Sequence, residues 1–487
     1  MPSPRRGTVL AVLAAAQFTV MLATSIVNVA LPQIRDGVGL SDSATTWVVN
    51  AYGLAFGALL LAGGRAADLL GRRRVLLTGL GAFAAASAVA ALATSPGVLI
   101  AARAVQGAGA AAVAPAALAL AVGLYPPGQA RGRALAVWGA VSGAGGAAGV
   151  LLGGLLTQAW GWPWIFHTVA IGSFAVLAAT AAYVPSTAAY VPAAGPAERV
   201  GFDWAGTATS ALALTALVWG LTTARRSGWT DPSVLAAVGA AAVLAVAFWR
   251  IERTSAAPLV PPRLFAARDV TVGNLLTGLF GSVWIALFFF LPLYQQQVLG
   301  EDPLTTGLGQ LPLAVANMLG AALAPTLVRR VGGSTALVAA LLTEAAGMLW
   351  LSRIGADGTF PTDVLGPSVL VGLGLSVAFV QLTGLSVAGV AGPDTGLAGG
   401  LANTTRQVGG AVGLAVLATV AGSVTGSAAR HQPPLEALTA GYRTAFALGA
   451  AVLAATALLA VLLVRRTPAA DRPHHAPAAE PAFPDRP

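Results

Sequence analysis

Gly64-Arg65-Ala66-Ala67-Asp68-Leu69-Leu70-Gly71-Arg72-Arg73-Arg74 sets five charged residues between two long apolar runs, in a chain where only 9% of residues are charged. Such a basic hinge between stretches long enough to cross a bilayer marks a polytopic membrane protein. Composition agrees: 56% of the 487 residues are hydrophobic, 59 are glycine, and mean hydropathy is +0.77. The chain has no cysteine, which removes disulfides and thiolate metal sites. All 27 basic residues are arginine. Without lysine there is no Gly-x-x-x-x-Gly-Lys-Ser/Thr phosphate loop, so uphill transport would draw on an ion gradient or a separate ATPase. The net charge of +9 invites a nucleic-acid partner, but the arginines fall between hydrophobic runs, and no nucleic acid is expected.

Working outward from the hinge, runs of about 20 apolar residues recur fourteen times. They lie roughly at 9–31, 45–63, 75–94, 98–123, 134–156, 164–184, 205–223, 233–250, 270–293, 305–328, 334–352, 364–390, 397–422 and 442–464. An even count puts both termini on one side. If that side is cytoplasmic, nineteen arginines fall in inner segments and six in outer ones, as the positive-inside rule requires. The N-terminal segment flows directly into span 1 and is read as uncleaved. The tail from about Thr467, rich in Pro, Ala and charge, is expected to be disordered.

Spans 1–6 and 9–14 have matching lengths, and Arg329-Arg330-Val331-Gly332 stands where a second half would repeat the hinge. The expected fold is an all-α integral membrane protein of two six-helix bundles plus an inserted two-helix hairpin. The expected boundaries are 1–197, 198–262 (the hairpin), 263–466 and a tail at 467–487. A substrate site would lie between the bundles near the midplane.

The Gly, Asp, Gly and arginine spacing of the hinge resembles the signature loop between spans 2 and 3 of the major facilitator superfamily. Met21-Leu22-Ala23-Thr24-Ser25-Ile26-Val27-Asn28-Val29-Ala30-Leu31-Pro32 is similar to the span 1 motif of its fourteen-span drug:proton antiporter branch, the EmrB/QacA type. Arg103-Ala104-Val105-Gln106-Gly107-Ala108-Gly109 looks like the span 4 motif, whose buried arginine is implicated in proton transfer. Gly139, Gly143, Gly145, Gly146, Gly149, Gly153 and Gly154 resemble the antiporter glycine motif of span 5. Leu291-Pro292-Leu293-Tyr294, Gln296-Gln297-Val298-Leu299-Gly300 and Asn403-Thr404-Thr405-Arg406-Gln407-Val408-Gly409-Gly410 are further segments typical of the branch. Two positions depart from it. Ala23 stands where the motif usually carries an acid, and Gly149-Val150 where it usually continues Gly-Pro.

The resemblance implies alternating-access export powered by the proton gradient, with no cofactor, no metal and no required partner protein. It places the chain in a bacterial plasma membrane with both termini cytoplasmic. Gly64, Asp68, Gly71, Arg72 and Arg73 are then gating candidates, against the plainer reading of a basic loop that only sets topology. Gly145, Gly149, Gly153 and Gly154 either permit helix sliding or simply pack closely.

Three ionisable groups lie deep in apolar runs. Arg103, about seven residues or ~10 Å into span 4, should face the interior and bond to carbonyls or to Gln106. It is a proton-coupling candidate or a structural staple. Glu344, in the middle of span 11, is either a proton carrier or a protonated acid on an outer scaffold helix. Arg406 in span 13 is its expected charged partner and a third coupling candidate. His167 beside Trp160, Trp162 and Trp164 reads as part of an interfacial belt rather than a proton site. Polar and aromatic cavity candidates are Asn28, Asn50, Tyr52, Gln106, Trp138, Asn274, Trp284, Gln310, Asn317, Gln381 and Asn403, each able instead to bond between helices. A cavity of aromatics with few fixed charges suits an amphipathic, moderately apolar small molecule. Four histidines, two of them in the tail, argue against a membrane-embedded lipid transferase. The alternative within transport is a dedicated exporter of one endogenous metabolite or siderophore.

Overall fold

The computed structural model describes residues 3–125, 129–185, 202–256, 258–390 and 395–464. The tail from Thr467 and the expected boundary at residue 197 lie outside them. Among the described residues, fourteen helices are long and apolar enough to cross a membrane: Arg6–Val38, Ser43–Leu70, Arg72–Ala91, Pro96–Gly123, Val137–Trp160, Pro163–Tyr183, Trp204–Ala224, Pro232–Thr254, Arg268–Gln297, Pro303–Val331, Gly333–Leu351, Phe360–Ser386, Leu397–Ala428 and Pro434–Leu463. They are spans 1 to 14 in chain order, and no strand occurs among the described residues.

Helix starts follow local chemistry. Prolines open the first turns of spans 4, 6, 8 and 14, where a missing N–H costs nothing. Asp203, Asp231 and Asp302 cap spans 7, 8 and 10 by accepting from Gly206, Ser233 and Thr305 backbone N–H groups. The Ser233 hydroxyl, with its backbone N–H, holds the Asp231 carboxyl below the usual aspartate range, and the Thr305 N–H and hydroxyl do the same for Asp302. Gly71 alone separates spans 2 and 3, with φ +96°, and Gly332 separates spans 10 and 11 with φ +82°. The two hinges therefore share a backbone solution that only glycine adopts freely. Two spans are interrupted. Span 10 breaks at Gln310 between helices Pro303–Gly309 and Leu311–Val331, and span 12 begins with a π-helical turn at Phe360–Leu365.

Packing shows the internal repeat. In the first bundle span 1 lies on spans 4, 5 and 6, span 4 on spans 2 and 3, and span 3 on span 6. Adding eight to each number gives the second bundle: span 9 on 12, 13 and 14, span 12 on 10 and 11, and span 11 on 14. The bundles meet where span 2 packs on 13, span 5 on 10, and span 1 on 9. Span 7 of the hairpin packs on span 8 and on spans 2 and 13, covering one seam between the bundles. Span 8 turns Leu235, Val243 and Val246 outward, as a lipid-facing helix does.

Candidate functional site

A cavity of about 1880 Å³ lies between the bundles, lined by spans 1, 2, 4 and 5 and by spans 9, 10, 12 and 13. It exceeds the 300–1,000 Å³ typical of small-molecule pockets, so a drug-sized molecule would share it with water. The cavity reaches Gly64, Asp68 and Arg72 of the hinge, and Pro258, Leu259, Pro261 and Arg263 at the start of the second bundle. It thus opens at the end where span 1 begins and span 14 finishes. The opposite end is closed by backbone contact between bundles. A Cβ on Gly154 would sit 2.3 Å from the Pro303 carbonyl, one on Gly307 3.0 Å from that of Val150, and Gln296 donates to the Val29 carbonyl at 2.7 Å.

In the first bundle the deep charge is tied down. Arg103 is 1% exposed. It donates to the Val48 carbonyl at 3.0 Å, the Ala23 carbonyl at 3.4 Å and Gln106 Oε1 at 2.5 Å, and its guanidinium stacks 4.4 Å from the Tyr52 ring centroid. Gln106 Nε2 donates in turn to Ser87 Oγ at 2.8 Å. Tyr52 receives a bond from Thr24 and donates to the Val20 carbonyl, both at 3.2 Å. At Ala23 it is thus the main-chain carbonyl that accepts from the arginine.

In the second bundle the deep charge faces the cavity. Arg406 lies between aromatic faces, 4.7 Å from the Phe379 centroid and 5.3 Å from that of Trp284, and donates to Asn403. Phe280 and Phe379 each meet Trp284 edge to face, at 5.5 and 5.4 Å. The expected Glu344 to Arg406 pair is absent. Glu344 is fully buried, off the cavity, where the backbone of span 12 at Gly374 comes close to it. Neither of its carboxyl oxygens has a hydrogen-bond partner. Sequence depth placed the two residues at one level, but the helix faces differ.

Asn28, Asn50, Tyr52, Trp138, Trp284, Gln310, Asn317 and Asn403 line the cavity. Three other expected lining residues do not. Gln106 is enclosed with Arg103, Asn274 bonds span 9 to Thr405 of span 13, and Gln381 Oε1 lies beside Gly333 at the start of span 11. Gln17, Phe280, Phe288 and Phe379 line it without having been singled out. Gln17 shares one helical face with Thr24 and Asn28, a spacing the sequence does carry. Buried amide atoms of Gln17, Asn50, Gln310 and Asn317 have no protein hydrogen-bond partner, leaving an uncharged polar lining for a ligand or water.

At the hinge, Asp68 pairs with Arg72 at 3.3 Å, both partly exposed at the mouth. Arg73 reaches the last turn of span 6, donating to the Val184 and Ala181 carbonyls at 2.6 and 2.9 Å. In span 5, Gly145, Gly149 and Gly153 press on the backbone of span 1, where added Cβ atoms would stand 2.9, 2.9 and 2.5 Å from the Phe18, Leu22 and Ile26 carbonyls. Gly154 faces the other way, onto span 10. His167 packs its ring 5.4 Å from that of Trp164.

The model of the Major Facilitator Superfamily matches residues 13–414. The chain belongs to that superfamily. It is 39% identical to the puromycin resistance protein pur8 of Streptomyces alboniger over 485 residues, covering 96% of this chain and 94% of that one. It is 38% identical to the cephamycin export protein CmcT of Amycolatopsis lactamdurans, over 95% and 94% of the two chains. With the tetracenomycin C resistance and export protein of Streptomyces glaucescens it shares 33% identity, over 84% and 74%. Among solved structures, an auto-inhibited peptide transporter of the POT family superposes with a TM-score of 0.71 at 16% identity, over 98% and 99% of the chains. The human organic anion transporter MFSD10 gives 0.59 at 19%, over 94% and 100%. These structures share the facilitator fold. The sequence relatives are named for antibiotic resistance or export, and this chain is an efflux transporter of the superfamily in a multi-pass membrane setting.

Proposed function

We propose that the protein exports amphipathic, largely uncharged antibiotic-like molecules across a bacterial plasma membrane by alternating access, driven by proton influx. Both termini and the hinge face the cytoplasm, in line with the arginine bias. The observation that carries this reading is a cavity open at the end where span 1 begins and span 14 finishes and closed at the other by the 5·10 and 1·9 contacts. Cargo enters from the inner side or inner leaflet and lies against Trp284, Phe379 and Trp138, while the unpartnered amides take its polar groups.

Export then requires the seal at Gly154 and Pro303 to part and the hinge end to close. Two six-span units, 1–197 and 263–466, rock about the cavity, and the hairpin within 198–262 holds one seam. Asp68, Arg72 and the glycines of the hinge form the latch of the opposite state. Arg103 shapes the first bundle and Arg406 senses cargo. Glu344, isolated from cavity and network, is structural. No cofactor, metal or partner protein takes part, and the chemistry is transport rather than catalysis.

A second reading has specific support, since relatives named for puromycin, cephamycin and tetracenomycin C point to dedicated exporters of a single metabolite. Uptake into everted vesicles separates the two. A broad pump accumulates puromycin, tetracyclines and macrolides with affinities within about tenfold of one another, whereas a dedicated exporter takes one of them at least ~100-fold more tightly. Failure to accumulate any amphipathic compound would end both readings.

A further inference from the structure

From the outer end of the second bundle a hydrogen-bonded chain runs into the cavity. Gln310, at the break in span 10, donates through Nε2 to Gln295 Oε1 at 2.5 Å, and Gln295 Nε2 donates to Glu301 Oε2 at 2.9 Å. Gln295 and Gln310 are buried, at 0% and 2% exposure, and Glu301 is half-buried in the connection between spans 9 and 10. Gln310 lines the cavity, and its Oε1 is buried without a partner. One end of the chain is therefore titratable, and the other is an unsatisfied acceptor in the cavity.

The direction of every bond follows from the first. An ionised carboxylate only accepts, so Gln295 must turn its NH₂ toward Glu301 and its oxygen toward Gln310. Gln310 must then donate backward, which leaves its oxygen for the cavity. A protonated Glu301 carries an O–H donor beside its carbonyl acceptor. When that O–H is given to Gln295, Gln295 turns its oxygen outward and its NH₂ inward, Gln310 turns its oxygen back, and the cavity meets an N–H donor. We propose that Glu301 is an outward-facing proton site that switches Gln310 from acceptor to donor, so that cargo bearing an N–H or O–H group is held while Glu301 is ionised and let go when it is protonated. This rests on the proton-driven export reading above, to which it adds a residue and a chemical class of cargo. Only a proton is transferred, from the outer medium to a Glu301 carboxyl oxygen, and two amides rotate.

The surroundings suit the role. Burial pushes the Glu301 carboxyl above the usual glutamate range; the Gln295 N–H opposes that rise, and the neighbouring Asp302 charge adds to it. Protonation therefore begins at a higher pH than for a free glutamate. Ionisable groups nearest this chain are Tyr294 of span 9, whose hydroxyl donates to the Gly355 carbonyl at 3.0 Å, Asp357 before span 12, Asp363 in its first turn, and Arg443 of span 14, which donates to the Ile354 carbonyl. Arg353, Arg430 and His431 lie in the loops at this end, and Glu436 in the first turn of span 14. Span 1, packed beside the same connection, ends in Arg35 and Asp36, and span 5 carries no charged residue between Val137 and Trp160.

The test uses purified protein in lipid nanodiscs and two neutral fluorescent probes of nearly equal shape: acridone, with a ring N–H, and N-methylacridone, without one. The expected result is acridone affinity that falls ~3- to 10-fold as pH drops through the Glu301 titration, the worth of one hydrogen bond turned into a mismatch, with N-methylacridone flat. Glu301→Gln should make acridone flat too, because a glutamine can present either atom at any pH. Gln310→Leu should remove the advantage of acridone over its methylated analogue. A slope shared by both probes, a slope that survives Glu301→Gln, or no acridone binding would overturn the proposal. Binding is read without a gradient. Loss of proton-driven transport in vesicles with the slope intact would defeat only the antiport reading, and a flat acridone curve with antiport intact would defeat only this one.

Discussion

Arg103 and Arg406 sit in equivalent bundles, one in span 4 and one in span 13, yet the fold treats them in opposite ways. Arg103 is enclosed, with bonds to spans 1, 2 and 4 and a tyrosine face beneath it. Arg406 has one amide and two aromatic faces, and borders the cavity. A guanidinium in a membrane needs acceptors. Where backbone carbonyls supply them the charge becomes scaffold; where aromatic faces supply part of them it stays able to answer a ligand. The same contrast holds between the two ends of the molecule: the closed end meets backbone to backbone through glycines, while the open end carries its ions partly exposed.

Arg103→Ala should have the largest effect, since it takes a donor from Gln106 and from the Val48 and Ala23 carbonyls. A loss of ~3 kcal/mol is expected, read as a lowered melting temperature in detergent, and Arg103→Lys should recover little because one ammonium cannot fork across the same acceptors. Gly153→Ala comes next, at roughly 1–3 kcal/mol, because the new methyl meets the Ile26 carbonyl. Arg406→Ala should cost under about 1 kcal/mol of stability yet weaken cargo binding roughly tenfold, measured by quenching of Trp284 fluorescence. If Arg103→Ala and Arg406→Ala destabilise equally, the division between scaffold and sensor fails.

Gly154→Val tests the two ends. The side chain would collide with Pro303, so the closed end should be held apart. The native chain has no cysteine, so spin labels on introduced cysteine pairs across that end report distances without background. A longer distance is expected, and an unchanged one would remove the seal from the account. Asp68→Asn should alter stability least, by under about 1 kcal/mol, since its pair is partly exposed.

The span positions were legible because bilayer thickness imposes a length on apolar runs, and each of the fourteen helices overlaps its expected run. Helix ends were not: span 1 extends as helix from Arg6 to Val38, beyond its most apolar stretch. The partners of Arg103 were legible in kind, since an arginine at that depth has few choices. Those of Arg406 were not, because Trp284 and Phe379 come from spans 9 and 12, far away in sequence. The Glu344 to Arg406 pairing failed for a related reason. In a helix apolar on every side, no periodicity tells which face meets the cavity. The break at Gln310 did leave a signal that the span reading passed over, Gly309 before it and Pro312 in the first turn after it.

Proton movement measured during export tests the central claim most directly. Acid-loaded everted vesicles carrying the protein, with a pH-sensitive dye inside, should alkalinise when an amphipathic antibiotic such as puromycin is added. Glu344→Gln should leave that response in place, and Asp68→Asn should abolish it while the protein stays folded. Cargo accumulation without any proton release, or a response that disappears only in Glu344→Gln, would contradict the account.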